Sequence, residues 1–363
     1  MGEWFPGRTL GSLPDEAARR WGAREGLCFQ GRRWTFAGLS EEIDRVAKGL
    51  IRLGIAPGEH VALWMVNRPE FIQTAFAVMK IGAVLAPVNT RFRTEDAGYV
   101  LSQSDAALLI VAARSGPVDY LGMVRQLAPS LGAAGRGEVR EAKFPRLRHV
   151  VAVAETPPAG ALGWDAMVAD GAAVADATLR ERAAAVDPEA TAFLMYTSGT
   201  TGFPKGVMHA HRIVRNLVDR AWRMAITQAD TIMMYLPLFH LFGFSEGMLM
   251  SMVTGARQVL TETFDPDEIL GLMERERPTI LDGFDTHFKD LLEALERAPR
   301  PRARIRTGLC ASGMSSSVPI ARRARQVFGP LLSGYGMSEF GAGAALSALD
   351  STEEQCVEAS GYP

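Results

Sequence analysis

Tyr196-Thr197-Ser198-Gly199-Thr200-Thr201-Gly202-Phe203-Pro204-Lys205-Gly206 decides how the rest of the chain is read. The stretch is dense in hydroxyl side chains and holds three glycines, one proline and one lysine. Ala192-Phe193-Leu194-Met195, just before it, is an apolar run of strand length. Val207 to Met224, just after it, has the pattern of an amphipathic helix. The reading is a strand that feeds a Gly/Ser/Thr loop, which empties toward a helix. Such a loop offers unpaired backbone N–H groups, hydroxyl donors and one ammonium, and these suit an anion, above all a phosphate.

The loop is not a Walker motif, which requires Gly-Lys-Ser/Thr; here Lys205 sits between Pro204 and Gly206. Pro204 removes one N–H and holds Phe203 extended, so no helix can begin inside the loop. The bland alternative is a flexible surface linker. Linkers are not usually launched from an apolar strand or punctuated by a single lysine.

The remainder of the chain supports an α/β protein. The length of 363 residues allows two or three core-forming units, and 47% apolar with 22% charged residues is ordinary for a globular chain. A net charge of −2 argues against nucleic acid or an anionic membrane as partner. The cysteines Cys28, Cys310 and Cys356 are far apart, with neither metal spacing nor a disulfide framework, which fits a reducing cytoplasm. No leader pattern opens the sequence, and no apolar run reaches the length of a membrane span.

In order, Cys28 to Phe36 reads as a hairpin turning at Gln30-Gly31. A helix is expected from Ser40, with Ile43, Val46, Ala47, Leu50 and Ile51 at helical spacing. His60 to Val66, a helix over Arg68–Ile81, and Gly82 to Asn89 form a βαβ unit of a parallel sheet. The stretch 112–190 is less regular. Beyond the loop, a helix over Ile213–Met224 leads to a strand at Thr231–Leu236, and Gly243–Thr254 is a helix apolar on nearly all sides, hence buried. Strands and helices alternate to Phe328. The result is two parallel-sheet units, one on each side of the loop.

The loop resembles the phosphate-binding signature of the adenylate-forming enzymes: acyl-CoA synthetases, firefly luciferase and non-ribosomal adenylation domains. The resemblance runs from about Trp34 to the end of the chain and is nearest to fatty-acid–CoA ligases. Lys80, Gly82, Pro87 and Asn89 match a recurring core segment of that family, where a structural role dominates. The implied fold is two αβαβα subdomains, over about 56–190 and about 1–55 with 207–340, and the start of a truncated β-barrel over about 341–363.

The resemblance assigns roles residue by residue. Thr197, Ser198, Gly199, Thr200, Thr201 and Lys205, with Gly202 in the same loop, are expected to hold the β- and γ-phosphates of ATP. Tyr335-Gly336-Met337-Ser338-Glu339 matches the family's Tyr-Gly-x-Thr-Glu, with serine for threonine. Tyr335 is then expected to stack on adenine, Ser338 to contact the α-phosphate, and Glu339 to bind Mg²⁺. Gly313 and Met314, in Ala311-Ser312-Gly313-Met314, would wall the adenine pocket beside Gly336. His240 is expected to orient the acyl carboxylate; His209 and His211 read as partner or surface histidines on a helix. Lys205, Glu339 and His240 are the candidates for catalysis. Gly283-Phe284-Asp285-Thr286-His287 lacks the proline of the family's tunnel segment, and that transfer is weak.

The implied reaction activates a carboxylic acid with ATP as acyl-AMP and passes the acyl group to CoA, the acid being fatty or otherwise hydrophobic. An aryl-acid ligase and an enzyme feeding a carrier protein are alternatives within the family, and a non-catalytic nucleotide-binding module is one outside it. A homodimer is allowed, and no transmembrane segment or nucleic-acid partner is implied. Relatives continue into an Asp-containing ribose motif and a lid domain with a late lysine. Here Ser360-Gly361-Tyr362-Pro363 is last, and no lysine follows Lys289. The expectation is therefore an N-terminal domain without its lid, adenylating slowly. Loss of one such transition-state donor typically costs roughly 3–4 kcal/mol.

Overall fold

A computed structural model of the chain describes residues 8–363 apart from Ala134 and residues 157–158, 198–201, 302–303 and 312–314. The chain is mixed α/β and falls into two units: residues to Glu16 with Gly38–Val214, and Ala17–Ala37 with Arg215–Pro363. The described residues to Glu16, residues 38–55 and residues 207–214, expected with the second sheet, belong to the first unit.

The first unit holds a seven-stranded sheet. In spatial order its strands are Leu162–Gly163, His149–Val153, Ala106–Ala112, His60–Trp64, Val84–Pro87, Thr191–Thr197 and Lys205–Ala210. All neighbours are parallel except the last pair. Ala106–Ala112 is buried at every residue, the pattern of a strand covered on both faces. The helix Pro69–Lys80 completes the expected βαβ crossover and starts with proline in its first turn, where the missing N–H has no helical partner to lose. Lys80 closes that helix with a buried ammonium paired to Asp15 at 2.8 Å and to Asp44. Its role is structural, as the sequence pattern implies.

The chain does not leave the Gly/Ser/Thr loop as a helix. Lys205–Ala210 returns as a strand antiparallel to Thr191–Thr197, with Thr197 opposite Lys205 and Tyr196 opposite Gly206. The reason is local: Pro204 bars helical geometry at Phe203, and the ladder then gives the following backbone its hydrogen bonds. Helical structure starts only with a single turn at His211–Ile213 and the helix Val214–Arg223. Neither His209 nor His211 is on the surface, and only His211 is helical, as the first residue of that single turn. His209 is buried in the returning strand with its ring 4.8 Å from that of Phe193, and His211 is 1% exposed.

The helix expected from Ser40 starts earlier, at Phe36, and runs to Arg52. The strand Arg32–Thr35 feeds it directly, and the Phe36 and Ala37 amides donate to the carbonyls of Arg24 and Gly22. The hairpin before it is as expected: Glu25–Phe29 pairs with Arg32–Thr35, and Gln30 and Gly31 both take positive φ, 49° and 80°.

The second unit contains a five-stranded sheet in the order Ile280–Leu281, Thr231–Met234, Arg257–Leu260, Glu25–Phe29, Arg32–Thr35. A three-stranded parallel sheet of Gly283–Phe284, Gly308–Ala311 and Leu331–Leu332 and a two-stranded ribbon of Gly334–Met337 with Ala342–Leu346 belong to the same unit. Its core gathers Ile232, Met250, Ile280, Leu309, Leu332 and Leu346. After Ala342–Leu346 come the helix Glu353–Glu358 and a backbone bridge between Leu346 and Tyr362. The described residues contain no helix long and apolar enough to cross a membrane.

Candidate active site

The second unit carries an open cleft of ≈ 130 Å³. One wall is Gly334 to Ser338 on the two-stranded ribbon, facing Gly343, Ala345 and Leu346 from the pairing strand. Another is His240, Leu241, Phe242, Ser245 and Glu246, and the rest comes from Phe284, Leu309, Ala311 and Arg220. The cleft is mostly apolar, with a few polar side chains converging on it, which is the ordinary make-up of a small-molecule site.

The ribbon presents the Tyr-Gly-x-Ser-Glu motif. Tyr335 is 52% exposed, and its ring meets that of Phe340 edge-on at 6.3 Å. Among the described residues its hydroxyl reaches only the sulfur of Met337, at 3.9 Å. A large aromatic left this open at a cleft offers a face to a flat ligand. A turn at Ser338–Phe340, closed by Gly341 at φ 69°, follows the strand and carries Ser338 at the cleft and Glu339 exposed beside it.

His240 caps the helix that begins at Leu241. Its Nδ1 accepts the N–H of Phe242 at 3.4 Å, which leaves the proton on Nε2. His240 is solvent-accessible, yet the surrounding protein disfavours its charged form and lowers its pKa. A neutral imidazole with an Nε2–H can donate to an oxygen, which suits orienting a carboxylate better than shuttling protons.

From Phe244 to Leu249 the helix is π-wound before returning to α-geometry over Met250–Thr254. Such insertions recur at functional sites because they turn side chains out of the regular stripe. Gly247 packs closely within this turn: a Cβ there would sit 1.9 Å from the sulfur of Met234. The helix is buried as its composition implies, but it also carries Glu246 into the cleft, where it pairs with Arg220 at 2.7 Å. Neither residue stands out in the sequence motifs. The available signal is a lone glutamate inside an otherwise apolar helix. Phe284, from the segment without the family's proline, also lines the cleft and meets Phe242 edge-on at 5.3 Å.

The structure thus brings His240, Tyr335, Gly336 and Ser338 to one cleft, with Glu339 adjoining in the chain. Thr197, Gly202 and Lys205 lie in the first unit. Thr197 ends its strand opposite Lys205, Lys205 is exposed and has no ion pair among the described residues, and Gly202 takes φ 100° with open space around it. Ser198, Gly199, Thr200, Thr201, Gly313 and Met314 lie outside the described residues. Among the described residues one group with metal-like spacing, Glu25, Cys28 and Glu276, involves none of these motif residues. Arg33 and Arg257 each pair with both glutamates, so two cations balance the two carboxylates.

Comparison with known proteins covers nearly the whole chain. The family model described as AMP-binding enzyme matches residues 14–363. A Bacillus subtilis (strain 168) protein provisionally named acyl-CoA synthetase YngI is 34% identical over 91% of this chain and 61% of its own length. The 3-[(3aS,4S,7aS)-7a-methyl-1,5-dioxo-octahydro-1H-inden-4-yl]propanoyl:CoA ligase of Mycobacterium tuberculosis is 32% identical over 92% of this chain and 62% of its own. This chain therefore spans about three-fifths of the length of these relatives. Among solved structures, the inhibitor-bound N-terminal domain of FACL13 from Mycobacterium tuberculosis superimposes with a TM-score of 0.78, covering 97% of this chain and 81% of that one. At 24% identity that likeness shows the fold.

Proposed function

Because the chain belongs to the AMP-binding enzyme family, we propose that it activates a hydrophobic carboxylic acid with ATP and passes the acyl group to the thiol of coenzyme A. The observation that carries this reading is the composition of the cleft: an aromatic face and a hydroxyl from one ribbon, a neutral imidazole opposite, and apolar walls between. A nucleotide monophosphate joined to an acyl chain has matching parts.

In the proposed reaction a carboxylate oxygen attacks the α-phosphorus of ATP, and the bond to pyrophosphate breaks with its electrons leaving on pyrophosphate. The thiol of CoA then attacks the acyl carbon, loses its proton and expels AMP. Little covalent chemistry falls to the protein, so catalysis is positioning and charge stabilisation. Tyr335 stacks on adenine, with Gly336 beside it. Ser338 donates its hydroxyl to an α-phosphate oxygen. Nε2–H of His240 donates to the acid's carboxylate and aims it. Lys205 and the loop residues Thr197, Ser198, Gly199, Thr200, Thr201 and Gly202 hold the β- and γ-phosphates. Gly313 and Met314 complete the adenine wall. Glu339 is exposed and has no ion pair among the described residues, which fits a Mg²⁺ ion that keeps most of its waters and takes one protein carboxylate. When bound, the ion supplies neutralisation of phosphate charge.

The acid is proposed as fatty or alicyclic rather than small and polar, because the cleft is built mainly from Leu241, Phe242, Phe284, Leu309 and Leu346. The named substrate of the Mycobacterium relative is a bulky, ring-bearing propanoate whose rings also carry two oxo groups. The test is ATP–pyrophosphate exchange with a panel of hydrophobic acids, followed by thioester assay with CoA. Acid-dependent exchange supports the reading. Nucleotide binding without exchange for any acid would make the chain a binding module instead.

A further inference from the structure

Arg220 and Glu246 meet inside the cleft. Arg220 comes from the helix Val214–Arg223 and Glu246 from the π-wound turn, and both are about as buried as core residues, at 4% exposure. Their closest atoms, Nη2 and Oε1, are 2.7 Å apart. This is a charge contact without hydrogen-bond alignment: none of the guanidinium nitrogens of Arg220 has a well-formed hydrogen bond among the described residues. Oε1 of Glu246 also accepts the hydroxyl of Ser245 at 3.2 Å.

A third acid, Asp282, adjoins the pair but does not use the arginine. Its Oδ1 accepts the N–H of Leu309 at 2.8 Å, and burial pushes its carboxyl up to about 8, which leaves it neutral near pH 7. One cation and one anion therefore balance, and guanidinium donors remain unused. Stability does not explain this. Buried ion pairs often gain nothing over apolar residues of the same volume, and a guanidinium with idle donors is a poor case even of a pair. What the pair contributes is a guanidinium that lines the cleft with idle N–H groups, each nitrogen sealed from solvent, beside Leu241, Phe242, Phe284, Leu309 and Leu346.

We propose that Arg220 and Glu246 form a polar subsite of the acid pocket. The acid taken by this chain then carries a second, uncharged oxygen function, a ketone or hydroxyl, to which Arg220 donates. Glu246 already balances the guanidinium, so a further carboxylate is not the matching group. The inference rests on the acid-activating reading of the cleft and narrows its substrate class.

The test compares a straight-chain alkanoate with its oxo- and hydroxy-substituted analogues of equal length and with the matching dicarboxylate. Binding to the full chain is measured by titration calorimetry and activation by pyrophosphate exchange. The expected result is an oxo- or hydroxy-acid preferred over the plain alkanoate by at least about tenfold, the scale of one hydrogen bond to a charged group. In Arg220→Met, and in Arg220→Met/Glu246→Leu, which leaves no unpaired buried charge, that ratio should collapse or invert. Equal or better binding of the plain alkanoate by the wild-type chain overturns the proposal. So does preference for the dicarboxylate, or a uniform loss for every acid in the variants, which would place the reacting carboxylate on Arg220. Selective binding without exchange would support the subsite and sink acid activation; exchange without selectivity would do the reverse. No binding of any acid overturns both.

Discussion

The backbone N–H of Leu10 donates to Nδ1 of His211, 3.1 Å away and 201 residues later in the chain. The bond ties the first described turn to the end of the hairpin that carries the phosphate-loop motif, within one unit. It requires an imidazole with a lone pair on Nδ1, hence a neutral ring.

That requirement sets a pH dependence. Burial lowers the His211 pKa to about 4, with Asp187 opposing, whereas an unfolded histidine titrates near 6.5. The unfolded chain then binds the extra proton first as pH falls. The stability contributed by neutral His211 is complete above about 6.5 and is lost progressively down to about 4, up to roughly 3 kcal/mol. Urea denaturation at several pH values between these limits should show this slope in the wild type. It should be flatter in His211→Gln, whose amide oxygen keeps an acceptor without a titration. Equal slopes in the two proteins would remove His211 from the account.

Asp282 gives a slope of the opposite sign. Its carboxyl titrates at about 8 in the folded chain, against about 4 unfolded, chiefly through burial and then through the charge of Glu246. The folded state holds the proton longer, so this group lowers stability as pH rises from about 4 through about 8, by on the order of 5 kcal/mol at most. Asp282→Asn keeps an acceptor for the Leu309 amide and cannot ionise. It should match the wild type at low pH and exceed it near pH 8 and above. A variant less stable than the wild type at pH 9 would contradict this.

These two residues also show where sequence reading stops. The βαβ unit of His60–Trp64, Pro69–Lys80 and Val84–Pro87 was legible because strands covered on both faces are apolar throughout and the helix between them is long. The hairpin at Gln30-Gly31 was legible because two positive φ values favour such residues. The strand Lys205–Ala210 was not, since its partly buried residues do not alternate cleanly and its partner, not its composition, makes it a strand. The buried roles of His209 and His211 follow from that pairing and were hidden with it. At the cleft, Tyr335, Ser338 and His240 were visible as motif residues. Arg220 and Glu246 were not, because their meeting depends on a π-wound turn that no local pattern announces.

Tyr335 offers a clean separation of ring from hydroxyl. The ring is half exposed, and among the described residues the hydroxyl touches only a thioether, so neither supports the core. Tyr335→Phe should bind AMP within about twofold of the wild type. Tyr335→Ala should bind it about tenfold more weakly, the scale of one lost aromatic stack. Melting temperatures of both should stay within a few degrees of the wild type. Calorimetric titration with AMP decides the matter, and equal affinity in Tyr335→Ala and the wild type would remove the adenine from this ring.

Lys205 stands opposite Thr197 where the hairpin enters the phosphate-loop motif, exposed and without an ion pair among the described residues. A cation without an ion pair beside hydroxyl- and glycine-rich chain gains little for stability, and the proposed role of Lys205 is to hold phosphate. Lys205→Ala should therefore change the unfolding free energy by less than about 0.5 kcal/mol, as surface substitutions do. The same change should reduce ATP–pyrophosphate exchange by at least about a hundredfold, the scale of one lost charged donor in the transition state. Lys205→Arg should recover part of that loss, because it restores the charge but on a planar fork of different reach. An exchange rate for Lys205→Ala within a few-fold of the wild type would take Lys205 out of phosphate chemistry.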